Sequence, residues 1–201
     1  QYSKPFSKII FVFLFCYLVQ ILSCKFRTRM KIVLLGYMAS GKSLIGRELA
    51  KVLKMDYLDL DDFIEKNEGK SIEKIFLEKG EIFFRKIENS YLQALISSKN
   101  NLVLSLGGGT PCFTNNLELL KNNKEITTFF LNVPVSELAK RLMSDKENRP
   151  LVKYVSNETD MLEFVGKHLF ERLPFYNQAH FKMDANKPKE EVVESIITKL
   201  F

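Results

Sequence analysis

Eight consecutive residues, Gly36-Tyr37-Met38-Ala39-Ser40-Gly41-Lys42-Ser43, place two glycines, a lysine and a hydroxyl at the spacing G-x-x-x-x-G-K-S. That spacing suits one chemistry, the grip on a triphosphate. Gly36 and Gly41 allow a tight backbone path, so the N–H groups of Ala39, Ser40, Gly41, Lys42, Ser43 and Leu44 form an anion-binding nest at a helix N-terminus. Lys42 reaches the β- and γ-phosphates, and the Ser43 hydroxyl is a ligand for Mg²⁺. The flanks are those the pattern needs. Lys31-Ile32-Val33-Leu34-Leu35 is a short apolar run suited to a buried parallel strand, and Leu44, Ile45, Leu49, Ala50, Val52 and Leu53 recur at helical spacing. Strand, loop and helix in this order predict a nucleoside triphosphate site.

Further clusters follow. They are Tyr57-Leu58-Asp59-Leu60-Asp61-Asp62, Gly80-Glu81-Ile82-Phe83-Phe84-Arg85-Lys86-Ile87-Glu88, Gly107-Gly108-Gly109, Asn148-Arg149-Pro150-Leu151 and Glu171-Arg172-Leu173-Pro174-Phe175-Tyr176. In order and context they resemble the shikimate kinase family, from Lys31 to Leu200. The resemblance implies transfer of the ATP γ-phosphate to the 3-hydroxyl of shikimate, a step of chorismate and aromatic amino acid biosynthesis. Shikimate is a small ring with one carboxylate and three hydroxyls. Arg85 and Arg172 offer planar forks that suit its carboxylate better than lysine would, and Gly107, Gly108 and Gly109 let the backbone approach the ring. By the resemblance Asp61 hydrogen-bonds the reacting hydroxyls, either accepting the proton or only orienting it. Asp59 lies by Mg²⁺ together with Ser43. Arg141 packs on one face of adenine, with Ala185-Asn186-Lys187-Pro188 closing the other. Arg149 folds over the transferring phosphoryl group, so that Lys42, Asp61 and Arg149 are the expected catalytic set. Two positions depart from the commonest pattern: Ala39 replaces a frequent loop glycine, and Leu44 a frequent threonine. Neither removes a phosphate ligand.

These residues must be held by an alternation of short strands and amphipathic helices. Strands are predicted at 31–35, 57–59, 102–106, 127–132 and 180–184. Helices are predicted at 42–54, 61–67, 71–78, 81–98, 114–122, 134–143, 161–176 and 188–200. Ser71 is a cap candidate and Pro134 a first-turn residue. The expected fold is α/β: the three-layer P-loop kinase arrangement, a central parallel five-stranded sheet flanked by helices. Residues 144–160 are polar, without clear periodicity or a core of their own, and read as a mobile lid.

Composition bounds the rest. The 201-residue chain carries a formal +6, but residues 1–29 hold Lys4, Lys8, Lys25, Arg27 and Arg29 and no acid, while the remainder sets 25 bases against 24 acids. No basic stripe for nucleic acid is expected. Cys16 and Cys24 precede the domain and Cys112 stands alone in it, which suits a reducing compartment and a cytoplasmic enzyme. Ile9 to Leu22 is almost wholly apolar between basic flanks, short for a spanning helix of about 20 residues. Residues 1–29 are read as an extension outside a domain of 30–201, the alternative being a true anchor or targeting segment; without one, no membrane partner is expected. A monomer acting on shikimate and ATP is expected. His168 and His180 lack partners at metal-ligand spacing. Two rivals remain at this point, a kinase for gluconate or nucleoside monophosphates and an inactive ligand-sensing module. The first is opposed by Arg85, Gly107 to Gly109 and Arg172 together, the second by the presence of Lys42, Ser43, Asp61 and Arg149.

Overall fold

The computed structural model describes residues 29–201; the predicted extension therefore lies outside the described residues, apart from Arg29. The elements in chain order are β1 (Lys31–Leu35), α1 (Lys42–Leu53), β2 (Asp56–Asp59), α2 (Leu60–Glu68), α3 (Ile72–Ser97), β3 (Leu102–Ser105), α4 (Asn116–Lys121), β4 (Ile126–Asn132), α5 (Val135–Ser144), α6 (Glu158–Tyr176), β5 (Phe181–Asp184) and α7 (Lys189–Leu200). Short 3-10 turns cover Thr110–Cys112, Lys146–Asn148 and Pro150–Val152.

The strands form one sheet in the order β2-β3-β1-β4-β5, with every pairing parallel. Parallel sheets need both faces covered, and β1 shows how the sequence meets that need. All five of its residues are buried. Ile32 and Leu34 enter one apolar cluster with Ile45 and Leu49 of α1, Leu138 and Leu142 of α5, Val165 of α6 and Ile196 of α7. Val33 and Leu35 enter the other, with Leu60 and Ile64 of α2, Phe84 and Leu92 of α3 and Leu120 of α4. The period of two sends alternate side chains to opposite layers.

Element ends follow local chemistry. The Ser71 hydroxyl accepts from Lys74 N–H at 3.3 Å and starts α3. Glu190 and Glu191 lie in the first turn of α7 and Lys199 in its last, as the helix dipole favours. The two helices predicted on either side of Gly80 run on as α3 but break there: Gly80 has φ 77° and ψ 172°, a non-helical conformation in which glycine avoids a Cβ penalty. Pro134 caps α5 from just outside, and α6 begins three residues before the predicted start because Asn157 accepts from Asp160 N–H at 2.9 Å.

The segment 144–160 is not without a core. Val152 has 0% exposure and belongs to the larger apolar cluster. The two 3-10 turns sit on either side of Arg149, while Leu151 and Tyr154 stay exposed. Valine in a charged stretch gives no periodic signal, which is why its anchoring role is invisible before the fold is known.

Candidate active site

β1, β2 and β3 are neighbours in the sheet, so the loops at their C-terminal ends meet along one edge, where ligands of open α/β sheets bind. There a cleft of about 430 Å³ is lined by Met38, Ala39, Gly41, Lys42, Ser43, Leu44, Asp59, Asp61, Asp62, Leu106, Gly107, Gly108 and Arg149. Most of the predicted triphosphate and catalytic residues are thus brought together.

The loop after β1 turns through residues with left-handed φ. Gly41 has φ 92° and begins α1 with no side-chain cap, which leaves the first amides of the helix to a ligand. Ala39 also has positive φ, 61°, which explains why glycine would be easy there; alanine carries a strain of about 1 kcal/mol. At Gly36 a Cβ would stand 2.7 Å from Ser40 Oγ and 3.0 Å from the Leu131 carbonyl, so glycine is required for space as well as for φ. Ser40 itself is buried, its hydroxyl lacking a partner.

The Lys42 ammonium donates to the carbonyls of Gly36 at 2.8 Å and Tyr37 at 2.9 Å, folding back over the loop. Burial pulls its pKa down to about 8, although Asp59 and Asp61 oppose the fall. Ser43 Oγ donates to Asp59 Oδ2 at 3.1 Å, and Asp59 Oδ1 accepts the Asp61 N–H at 3.1 Å, capping α2. Asp61 is turned the other way. Burial, with Asp59 and Glu88 nearby, pushes its carboxyl up to about 7 against the pull of Lys42 and Arg85. A Cβ on Gly107 would stand 2.7 Å from Asp61 Oδ1, so the bare backbone there is what lets the carboxylate in. By contrast Gly108 has ordinary room; its carbonyl accepts from Tyr176 Oη at 2.5 Å.

Arg85 lies beside this cleft rather than on its wall. Its Nη1 donates to Glu88 Oε2 at 3.0 Å, its Nε and Nη2 donate to Glu81 Oε1 at 3.3 and 3.2 Å, and its guanidinium lies 3.9 Å from the Phe113 ring centroid. A Cβ on Gly109 would stand 3.0 Å from Arg85 Nη2. Arg172 approaches from α6, donating to the His168 carbonyl at 2.8 Å with its guanidinium 6.0 Å from the Tyr37 ring centroid. On the other side of the loop, Arg141 Nε donates to Glu137 at 2.8 Å, Nη1 to the Ala39 carbonyl at 3.3 Å and Nη2 to Asn186 Oδ1 at 3.4 Å. It therefore joins the loop to the 185–188 turn. Lys187 stands apart from the cleft, 3.9 Å from Asp184 and half exposed. Arg149 Nε donates to Asp145 Oδ2 at 2.9 Å.

Several residues at the site have no role assigned to them by the sequence. Tyr57 Oη donates to Ser105 Oγ at 3.2 Å and approaches Asp59 Oδ2 at 3.4 Å. Tyr37 is 2% exposed with its hydroxyl unpartnered, and burial pushes its pKa up to about 12. Glu88, Thr110 and Asn116 form a buried polar group behind Arg85. Cys112 is half-buried and free, its thiol pushed up by burial. The two histidines are structural: His168 packs tilted against Phe164 with ring centroids 4.2 Å apart, and His180 Nδ1 accepts the Thr128 N–H at 3.0 Å beside the β4–β5 pair.

A parallel sheet with a glycine-rich triphosphate loop after its central strand, facing carboxylates and Arg149 across one cleft, defines a P-loop phosphotransferase. Comparison narrows this further. The shikimate kinase family model matches residues 38–201. A shikimate kinase from Flavobacterium johnsoniae is 43% identical over 168 residues, covering 83% of this chain and 96% of that protein. The crystal structure of shikimate kinase from Bacteroides thetaiotaomicron superposes with a TM-score of 0.75 at 31% identity, covering 85% of this chain and 98% of that one. Shikimate kinase from Acinetobacter baumannii in complex with shikimate gives a TM-score of 0.76 at 34% identity, covering 89% and 96%. The chain belongs to the shikimate kinase family.

Proposed function

We propose that this chain transfers the γ-phosphate of ATP to the 3-hydroxyl of shikimate, with the residue roles that follow. The observation that carries the reading is the single cleft in which the amide nest, Lys42 and Arg149 face Asp61 and Gly107. A donor phosphoryl group and an acceptor hydroxyl can meet there.

Arg85 and Arg172 take the substrate carboxylate, and Asp61 accepts a hydrogen bond from the reacting hydroxyl. With its pKa near 7, Asp61 is close to the working pH, where a proton acceptor is most effective. A loose phosphoryl transition state asks mainly for alignment and for positive charge at the equatorial oxygens. Lys42 and Arg149 supply that charge: Lys42 exchanges its loop carbonyls for phosphate oxygens, and Arg149 presents its terminal nitrogens while Nε stays on Asp145. We place Arg141 and the 185–188 turn at the adenine. Residues 144–160 close over the cleft about the buried Val152, and Gly107 and Gly108 keep the acceptor close to the loop.

The donor set also fits Mg²⁺. Ser43 Oγ and Asp59 offer hard oxygens side by side at the start of α1, the kind of sparse protein contribution this ion accepts when phosphates and waters complete its shell. Ser43 would hold it directly and Asp59 through water. When bound, the ion neutralises phosphate charge.

We further propose that residues 30–201 form the complete catalytic domain, acting as a cytoplasmic monomer. Coverage of 96% of the Flavobacterium johnsoniae enzyme by 83% of this chain supports that boundary. Among the described residues no helix is long and apolar enough to cross a membrane. A chain shortened to begin at Met30 is expected to keep full activity.

The direct test is ADP release with ATP, Mg²⁺ and shikimate, gluconate or a nucleoside monophosphate as acceptor. Turnover with shikimate alone is expected. Turnover with another acceptor, or ATP binding without turnover, would overturn the reading.

A further inference from the structure

Thr110 follows the triple glycine and has 0% exposure, yet all of its polar groups are engaged. Its N–H donates to the Gly107 carbonyl at 3.2 Å, closing the glycine turn. Its carbonyl accepts from Asn116 Nδ2 at 2.8 Å, and Asn116 Oδ1 accepts from Asn89 Nδ2 at 2.7 Å. Its hydroxyl donates to Glu88 Oε1 at 2.7 Å. Glu88, 1% exposed, uses its other oxygen for Arg85 Nη1 at 3.0 Å.

A buried carboxylate needs its lone pairs satisfied, and each unmet one is expensive. The Thr110 hydroxyl satisfies one oxygen of Glu88 and so fixes the rotation of the carboxylate. The second oxygen then holds one nitrogen of Arg85 in place. On the far side the ring of Phe113, three residues after Thr110, lies against the same guanidinium. The turn that brings backbone to Asp61 and the helix that presents Arg85 are thus joined through one side chain.

We propose that Thr110 is a positioning residue for acceptor binding: through Glu88 it sets the pose of Arg85 and ties it to the glycine turn. The inference rests on the reading that Arg85 takes the substrate carboxylate. Valine has the shape of threonine without the donor, and serine keeps the donor without the methyl. A hydrogen bond to a charged group is worth about tenfold in an equilibrium constant; if that preference is what holds Arg85 in its pose, Thr110→Val is expected to raise the shikimate KM about tenfold. The ATP KM and kcat should stay within about twofold of the parent, since neither is served by this contact. Thr110→Ser should restore the shikimate KM. If Thr110→Val does not fold, as judged by loss of ATP binding, Thr110→Ala removes the same donor and is read by the same assay.

In an Arg85→Ala background Thr110→Val should add less than about twofold, because the group it positions is gone. If Arg85→Ala leaves the shikimate KM unchanged, the carboxylate assignment fails. If Arg85→Ala raises it but Thr110→Val and Thr110→Ala do not, only the role of Thr110 is overturned. Equal loss in the valine and serine variants would also overturn it, since packing rather than the hydroxyl would then be responsible.

Discussion

At the end of the cleft where we place the nucleotide, the proposed contacts are mostly backbone amides from one uninterrupted run, Ala39 to Leu44. At the end where we place the acceptor, the proposed contacts are side chains drawn from separate elements: Asp61 from α2, Arg85 from α3 and Arg172 from α6, set against the backbone of Gly107 to Gly109. The first arrangement depends on φ angles and is insensitive to most side chains; Leu44, for example, is 56% exposed and free to vary. The second depends on partners, with Arg85 held between Glu81, Glu88 and Phe113. A phosphate is the same in every nucleotide and can be met by amides. A small hydroxylated acid must be told from others, which takes side chains of fixed pose.

The largest expected effect crosses this division. Arg149 belongs to neither end, and Arg149→Ala should lower kcat on the order of 10³-fold while changing the binding of each substrate little. Arg149→Lys should recover only part, because a point charge does not replace the fork. Steady-state kinetics decides; a near-normal kcat in the alanine variant would remove Arg149 from the phosphoryl group. Next, Arg85→Ala and Arg172→Ala should each cost about 1.5–3 kcal/mol in shikimate use, with the ATP KM preserved. A raised ATP requirement instead would blur the two ends together.

The third prediction concerns protons. With Asp61 near 7 and Lys42 near 8, kcat/KM for shikimate should rise through about pH 7 as Asp61 ionises and fall above about pH 8 as Lys42 loses its charge. Asp61→Asn should abolish activity and reveal a cost. The folded protein holds the Asp61 proton up to about 7, whereas the ordinary value is 3.8, so its contribution to stability is lost as pH rises between those values. At pH 8 the asparagine variant should therefore melt a few degrees higher than the parent, measured by thermal unfolding. A lower melting temperature would mean that Asp61 is stabilising as an anion. The smallest effect is expected at Ala39, where Ala39→Gly relieves positive-φ strain but loosens the unfolded chain; stability should move by no more than about 1 kcal/mol, with kcat little changed.

The same division governs what could be read before the fold. The phosphate loop was legible because its geometry is encoded in contiguous residues, and the strand before it because all of β1 is apolar from Ile32 on. Gly80 marked the break in α3. Tyr57, Glu88, Thr110 and Val152 gave little notice. Glu88 and Thr110 are 22 residues apart, and nothing in either segment's pattern says that one will satisfy the other. Polar residues buried in pairs look like surface until the pairing is known. The start of α6 is a different case: Asn157 followed three residues later by Asp160 is a legible cap, but it lies in a polar stretch whose lack of apolar periodicity hides the helix start.

β1 lies at the centre of the sheet with no residue exposed, and it runs directly into the triphosphate loop. Its amides should therefore exchange with deuterium only when the whole domain opens, marking the last stretch to let go. Any ligand gripped by the loop then acts on that opening as a whole, since what binds the native form and not the unfolded one disfavours global opening by an amount that grows with the logarithm of free ligand over Kd, about 2.7 kcal/mol at a hundredfold excess. Isotope uptake at Ile32 to Leu35 would serve as a meter of free nucleotide relative to its Kd, read from backbone amides that touch no ligand.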